Sequence, residues 1–250
     1  MLNLIEVITA IAAIAINLVA MTHALSGSLT RRLTFAAIAG GWVGLAIGLG
    51  DTGRFVFSPY IPFPLIGVFF AAPLLTVGVL ALTREGVRTA LLGIPQQLLI
   101  GLNALRILGV LFLFEYMRGA LSGPFPFFAG LGDVITGVVA IPLALNVARS
   151  QNVPARAIAR WNAFGALDLF VAVGLGITSA AGSPLQLIHA GVGSQAMQYL
   201  PLCLVPTVLV PYYLITHGIV AAQLRVRSKA AQRTPSPGAV SGGAASQLAR

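Results

Sequence analysis

Apolar residues fall in long runs separated by short polar breaks. Seven runs approach the roughly 20 residues that cross a bilayer as a helix: Leu2–Leu25, Leu33–Leu49, Pro62–Leu82, Gln96–Leu121, Phe128–Val147, Ile158–Ala180 and Tyr199–Leu224. Backbone polar groups in hydrocarbon must be satisfied within the segment, and the alternation suited to barrel strands is absent, so the runs predict helices. The chain reads as an all-α membrane protein with about seven transmembrane helices.

The breaks predict orientation. Arg31 and Arg32 follow the first run, Arg84 and Arg88 the third, and Arg149, Arg156 and Arg160 the fifth. Arg225, Arg227, Lys229 and Arg233 follow the seventh, whereas the intervening breaks offer only Arg54 and Arg118. Basic residues mark cytoplasmic loops, so the alternation predicts an outside N-terminus and a cytoplasmic C-terminus. Residues 1–225 are expected to form the polytopic bundle. Residues 226–250, rich in Ser, Pro, Gly and Ala with scattered charge, are expected to be a disordered basic cytoplasmic tail. Gly40, Gly44 and Gly48 form a ridge in the second run that suits close approach of another helix.

Composition sharpens this reading. Of 250 residues, 57% are apolar and 8% charged, against about 25% charged in soluble domains. The net charge of +9 sits at the ends of apolar runs and in the tail, so it sets topology and does not point to nucleic acid. The lipid bilayer is the expected partner, with a homo-oligomer or a second membrane protein left open. A single cysteine, Cys203, excludes an internal disulfide or a cysteine-based metal site. The first run lacks a basic leader and a small-residue cleavage site, so it is expected to stay as a span. Arginine outnumbers lysine fourteen to one, which fits a GC-rich bacterial genome and a multi-pass protein of the bacterial inner membrane.

The charges inside the runs are the candidate chemistry. A charge at the bilayer centre costs about 2.5–3.5 kcal/mol on insertion scales and generally has a partner. Arg106 and Asp168 each lie about ten residues from the basic end of their runs. They share a depth of roughly 15 Å at about 1.5 Å per residue, and are expected to pair. Asn103 lies on the Arg106 face, and Asn162, Gly165 and Asp168 share a small, polar arc of the sixth run. Phe164, Leu167, Val171 and Leu175 form a bulky arc suited to lipid. The pair is either a structural clamp or part of a solute or proton path. Nearer the other surface lie Glu6, Asp51, Arg54, Glu115, Arg118 and Asp133. They are either an outward polar vestibule or separate interfacial groups, and Asp133 also suits a helix N-terminus.

His23 and His217 each lie eight residues before a basic residue, so they form a candidate pair at similar depth. They fit helix-end hydrogen bonding, a proton relay or, least favoured, haem ligation. Seven spans with an outside N-terminus resemble microbial rhodopsins, but Lys229 is the one lysine and it lies in the tail, which excludes a retinal linkage. Pro95-Gln96 resembles the motif of PQ-loop transporters, but a second copy is missing. No paired-acid, HExxH or GxSxG pattern points to an enzyme, and no cofactor is expected. The expected role is a small-solute or proton-linked transporter. The alternative is a non-enzymatic membrane sensor or assembly subunit.

Overall fold

A computed structural model describes residues 2–57, 65–149, 152–183 and 185–233. The described residues form helices, with no strand among them. In chain order they are α1 (Leu2–Ala24), α2 (Leu29–Asp51), α3 (Leu65–Thr83), α4 (Glu85–Leu92), α5 (Gln96–Leu102), α6 (Val110–Met117), α7 (Phe125–Ala148), α8 (Ala155–Ser179) and α9 (Val210–Arg233). A 3₁₀ stretch, Asn103–Gly109, joins α5 to α6. A π-helical turn, Val205–Leu209, leads into α9. With these joins counted, seven helices are long and apolar enough to cross a membrane.

Local sequence explains the boundaries. Ser28 caps α2, its hydroxyl accepting from the Arg31 backbone N–H. Pro95 and Pro154 precede α5 and α8, where a missing N–H costs nothing. Gly119 ends the fourth span with a φ of +74°, a left-handed value that suits glycine at a helix C-terminus. α7 begins at Phe125, three residues before the expected start at Phe128, because Pro124 and Pro126 fit a first helical turn.

α7 lies at the centre of the bundle, against the whole fourth span on one side and α8 on another. α9 packs on α8, α3 and α5. The largest core joins Met21, Ile94, Leu99, Ala140, Trp161 and Val220. α2 and α3 are peripheral: 11% and 6% of their apolar windows are buried, against 50% for the last span. Leu33, Ile38, Leu75 and Val79 stay exposed there, as lipid-facing residues do. The Gly40, Gly44 and Gly48 ridge meets nothing within 4 Å, so within one chain it brings no helix close, contrary to the use expected for it.

Arginine contacts mark the two ends. Near one end Glu6, early in α1, meets Arg118 after α6 at 3.0 Å. At the other, Arg227 donates to Gln96 Oε1 at 2.8 Å, and Arg32 donates to Leu25 O at 2.9 Å. Helix α9 continues through Ser228 to Arg233, so the first residues assigned to the tail extend the last span. Residues 234–250 lie outside those described.

Candidate functional site

Arg106 sits at the middle of the fourth span, in its 3₁₀ stretch, and is 2% exposed. A 3₁₀ segment inside a longer helix frequently marks a functional position. The guanidinium reaches four groups on three helices. Nε donates to Asp133 Oδ1 of α7 at 2.7 Å, and Nη2 donates to Asp168 Oδ2 of α8 at 2.5 Å. Nη1 donates to the Gly165 carbonyl at 3.1 Å and lies 3.1 Å from His217 Nε2 of α9. The Tyr213 ring lies beneath it, 5.8 Å from Cζ.

The histidine tautomer follows from its partners. His217 Nδ1 is 2.9 Å from Asn162 Oδ1, whose amide nitrogen donates to the His217 carbonyl. The asparagine oxygen can only accept, so Nδ1 carries the proton and the Nε2 lone pair accepts from Arg106. Both ring nitrogens are therefore engaged. Trp161 packs 5.2 Å from the imidazole and donates to Thr136 O. Tyr213 accepts at its hydroxyl from Asn17 Nδ2 at 3.2 Å, which ties α1 to the site.

Glycine permits this density. A Cβ on Gly132 would collide with the Asp168 carboxylate, and one on Gly165 would lie 2.6 Å from His217 Cε1. Each is a glycine because a side chain already occupies the space that a Cβ would take.

The second cluster lies toward the Glu6 end. Arg118 Nη1 donates to Glu115 Oε1 at 2.7 Å and to Glu6 Oε1 at 3.0 Å. Both acids are buried, while the Arg118 side chain is 39% exposed. A cavity of about 70 Å³ runs between the clusters, lined by Glu6, Ala10, Pro201, Arg106, Asp133 and Tyr213. A second cavity, about 100 Å³, also reaches Asp133 but is lined mainly by apolar side chains.

Several expected groupings change. Asp133 leaves the rim set and joins Arg106, because the early start of α7 puts it more than two turns inside the helix, too deep for capping or a vestibule mouth. Asp51 and Arg54 are exposed and form no ion pair with either cluster. His23 is exposed near the end of α1, whereas His217 is 2% exposed at the centre. The two do not face one cavity, and His217 has no ring nitrogen free for haem iron. Asn103 is buried, but its side chain donates to Leu99 O within its own span. Tyr213, Thr136 and Asn17 were not singled out in the sequence; isolated polar residues in apolar runs were the available signal. Among the described residues, no group of three or more His, Cys, Asp or Glu is arranged to hold a metal ion.

A bundle of seven apolar helices around buried, paired charges defines a polytopic membrane protein. Its sequence matches the family described as Domain of unknown function (DUF8737) over residues 63–225, about two thirds of the chain, and the chain belongs to that family. The match includes Arg106, Asp133, Asp168 and His217 and leaves out α1 and α2. No curated protein matches the chain, and no solved structure matches it.

Proposed function

We propose that the protein is a proton-linked carrier of small solutes, oriented with its N-terminus outside and its basic loops in the cytoplasm. Arg106, Asp133 and Asp168 form its coupling centre. The observation that supports this reading is the cavity that has Glu6 at one end and Arg106 with Asp133 at the other. One guanidinium faces two carboxylates, so the centre carries one formal negative charge in a low-dielectric interior. Isolated buried charge is costly, and a proton arriving through the cavity would neutralise it. Protonation of either acid would weaken its hold on Arg106 and leave the other as sole partner. That gives the centre two arrangements, as a carrier requires.

The test is the current recorded when pH is stepped on proteoliposomes adsorbed to a solid-supported membrane. A transient proton-binding current is expected from the protein. It should be lost in the double variant Asp133→Asn, Asp168→Asn. A wild-type current no larger than that of protein-free liposomes, or an undiminished current in the double variant, sinks the reading.

One observation favours the alternative, a sensor or assembly subunit clamped by these charges. Four of the five N–H groups of Arg106 already have acceptors. Under that reading Arg106→Leu and Asp168→Leu are tolerated together but not singly, and no current is seen.

A further inference from the structure

The apolar cavity of about 100 Å³ has features that the proton reading does not use. It lies between α3 and α8, both of which pack on the last span. Ile66, Gly67 and Phe70 supply one wall; Val173 and Ile177 supply the other. Ile177 is 38% exposed, so this wall continues onto the apolar outer surface that lipid covers. An apolar lining with a few placed polar groups is the common form of small-molecule sites; here the enclosed part has room for a carbonyl group and the few carbons beside it, and the rest of a ligand would lie in the open cleft between α3 and α8.

Gln198 is the placed polar group. It lines the cavity, is 2% exposed, and lies at the end of a short 3₁₀ turn, Gln195–Gln198. Its Oε1 accepts from the Phe57 backbone N–H at 2.8 Å. That contact fixes the amide orientation, because the nitrogen end would oppose a donor with a donor. Nε2 is thereby left buried with no hydrogen-bond partner. A buried donor without an acceptor carries its full desolvation penalty. Ser194, also on the lining, spends its hydroxyl proton on Gly176 O at 2.6 Å and offers no further donor. Among the described residues, the one charged residue on the lining is Asp133, which already holds Arg106.

We propose that this cavity binds a neutral, membrane-dissolved lipid whose carbonyl-type oxygen accepts a hydrogen bond from Gln198 Nε2 and whose apolar body lies against Phe70, Phe125 and Ala172. An anionic headgroup is disfavoured by the Asp133 carboxylate, and a cationic one would compete with Arg106 for it. An apolar body satisfies the walls, and the gap between α3 and α8 admits it from the bilayer. The oxygen belongs to an acyl ester or to a ketone or quinone; the hydrogen bond is the same.

The full-length protein is purified in mild detergent and extracted with organic solvent, and bound lipids are quantified by mass spectrometry against total membrane lipid. About one neutral carbonyl lipid per chain is expected, enriched over the membrane. Saponification distinguishes an ester from a ketone or quinone, which borohydride reduces. Gln198→Leu is expected to lower occupancy about tenfold, and Ala172→Phe, which fills the cavity, to abolish it. Gel filtration checks that each variant remains folded. Absence of enrichment in the wild type, or unchanged occupancy in folded Gln198→Leu, overturns the proposal. The assay reads binding alone: lipid without pH-step currents refutes only the carrier, and currents without lipid refute only this site.

Discussion

Arg106 and Arg118 lie about three helical turns apart on one span, and each holds two carboxylates. The inner arginine takes its acids from two other helices, and its side chain is 1% exposed. The outer one takes Glu115 from its own helix at i−3 and Glu6 from α1, and is 39% exposed. The chemical inventory is the same, so the difference is one of surroundings. Arg106 has a histidine, a backbone carbonyl and an aromatic face to complete its shell. Arg118 has the membrane edge, where water can supply what protein does not. A buried ion pair loses heavily when one partner is removed, and an exposed one loses little.

Substitutions can break or sharpen that contrast. Arg106→Leu strands two buried acids and is expected to cost about 3–5 kcal/mol. Thermal unfolding in detergent reads this as a drop of about 2–4 °C per kcal/mol. A loss no larger than that of Arg118→Leu would erase the distinction between the two centres.

Gly132→Ala comes next, at about 1–3 kcal/mol from overpacking, because its methyl group enters the space of the Asp168 carboxylate. Gly44→Ala, in open space on α2, is the control and is expected to leave the melting temperature unchanged in the same assay. Equal loss at both glycines would show that the inner helices are not held at contact distance.

Asn162→Leu removes the acceptor from His217 Nδ1 and leaves a buried donor, which costs about 1–3 kcal/mol. Nitrogen NMR of labelled His217 should show the Nδ1-protonated neutral form in the wild type. Finding the Nε2-protonated form instead would mean that His217 does not accept from Arg106.

Arg118→Leu also strands two buried acids, Glu6 and Glu115, but beside a site open to water, and is expected to cost less than Arg106→Leu, about 1–3 kcal/mol. Urea-free thermal scans at low and high salt should differ for the wild type through this cluster and not through Arg106, because salt screens exposed charges far more than buried ones.

The depth of each charge was legible from the sequence, and its direction around the helix was legible only in part. Counting from the basic breaks put Arg106 level with Asp168, and the two are joined at 2.5 Å. The same counting grouped His217 with His23, although His217 lies as deep as Arg106. Depth alone cannot say which way a histidine on another helix points. A span starting at Phe128 leaves Asp133 near the rim, whereas α7 starts at Phe125 and carries Asp133 to Arg106. The glycine ridge of α2 resembles a packing face, yet the glycines at close helix contacts are others, among them Gly109, Gly132, Gly137 and Gly165, with Gly132 and Gly165 each opposite a polar side chain. Gln198 gave no signal, because an orphaned donor exists only relative to what surrounds it.

By itself the sequence determined seven membrane-crossing helices and the presence of charges too deep to stand alone. The physical reason is local: hydrocarbon demands internal backbone hydrogen bonding and about 20 apolar residues per crossing, and both are properties of a continuous segment. The tertiary structure decided which acids Arg106 holds, that His217 completes its shell, and that two cavities converge on Asp133. Those outcomes depend on how α7, α8 and α9 are rotated about their axes. Rotation is set by packing between segments far apart in the chain, where one missing Cβ at Gly132 or Gly165 decides what fits.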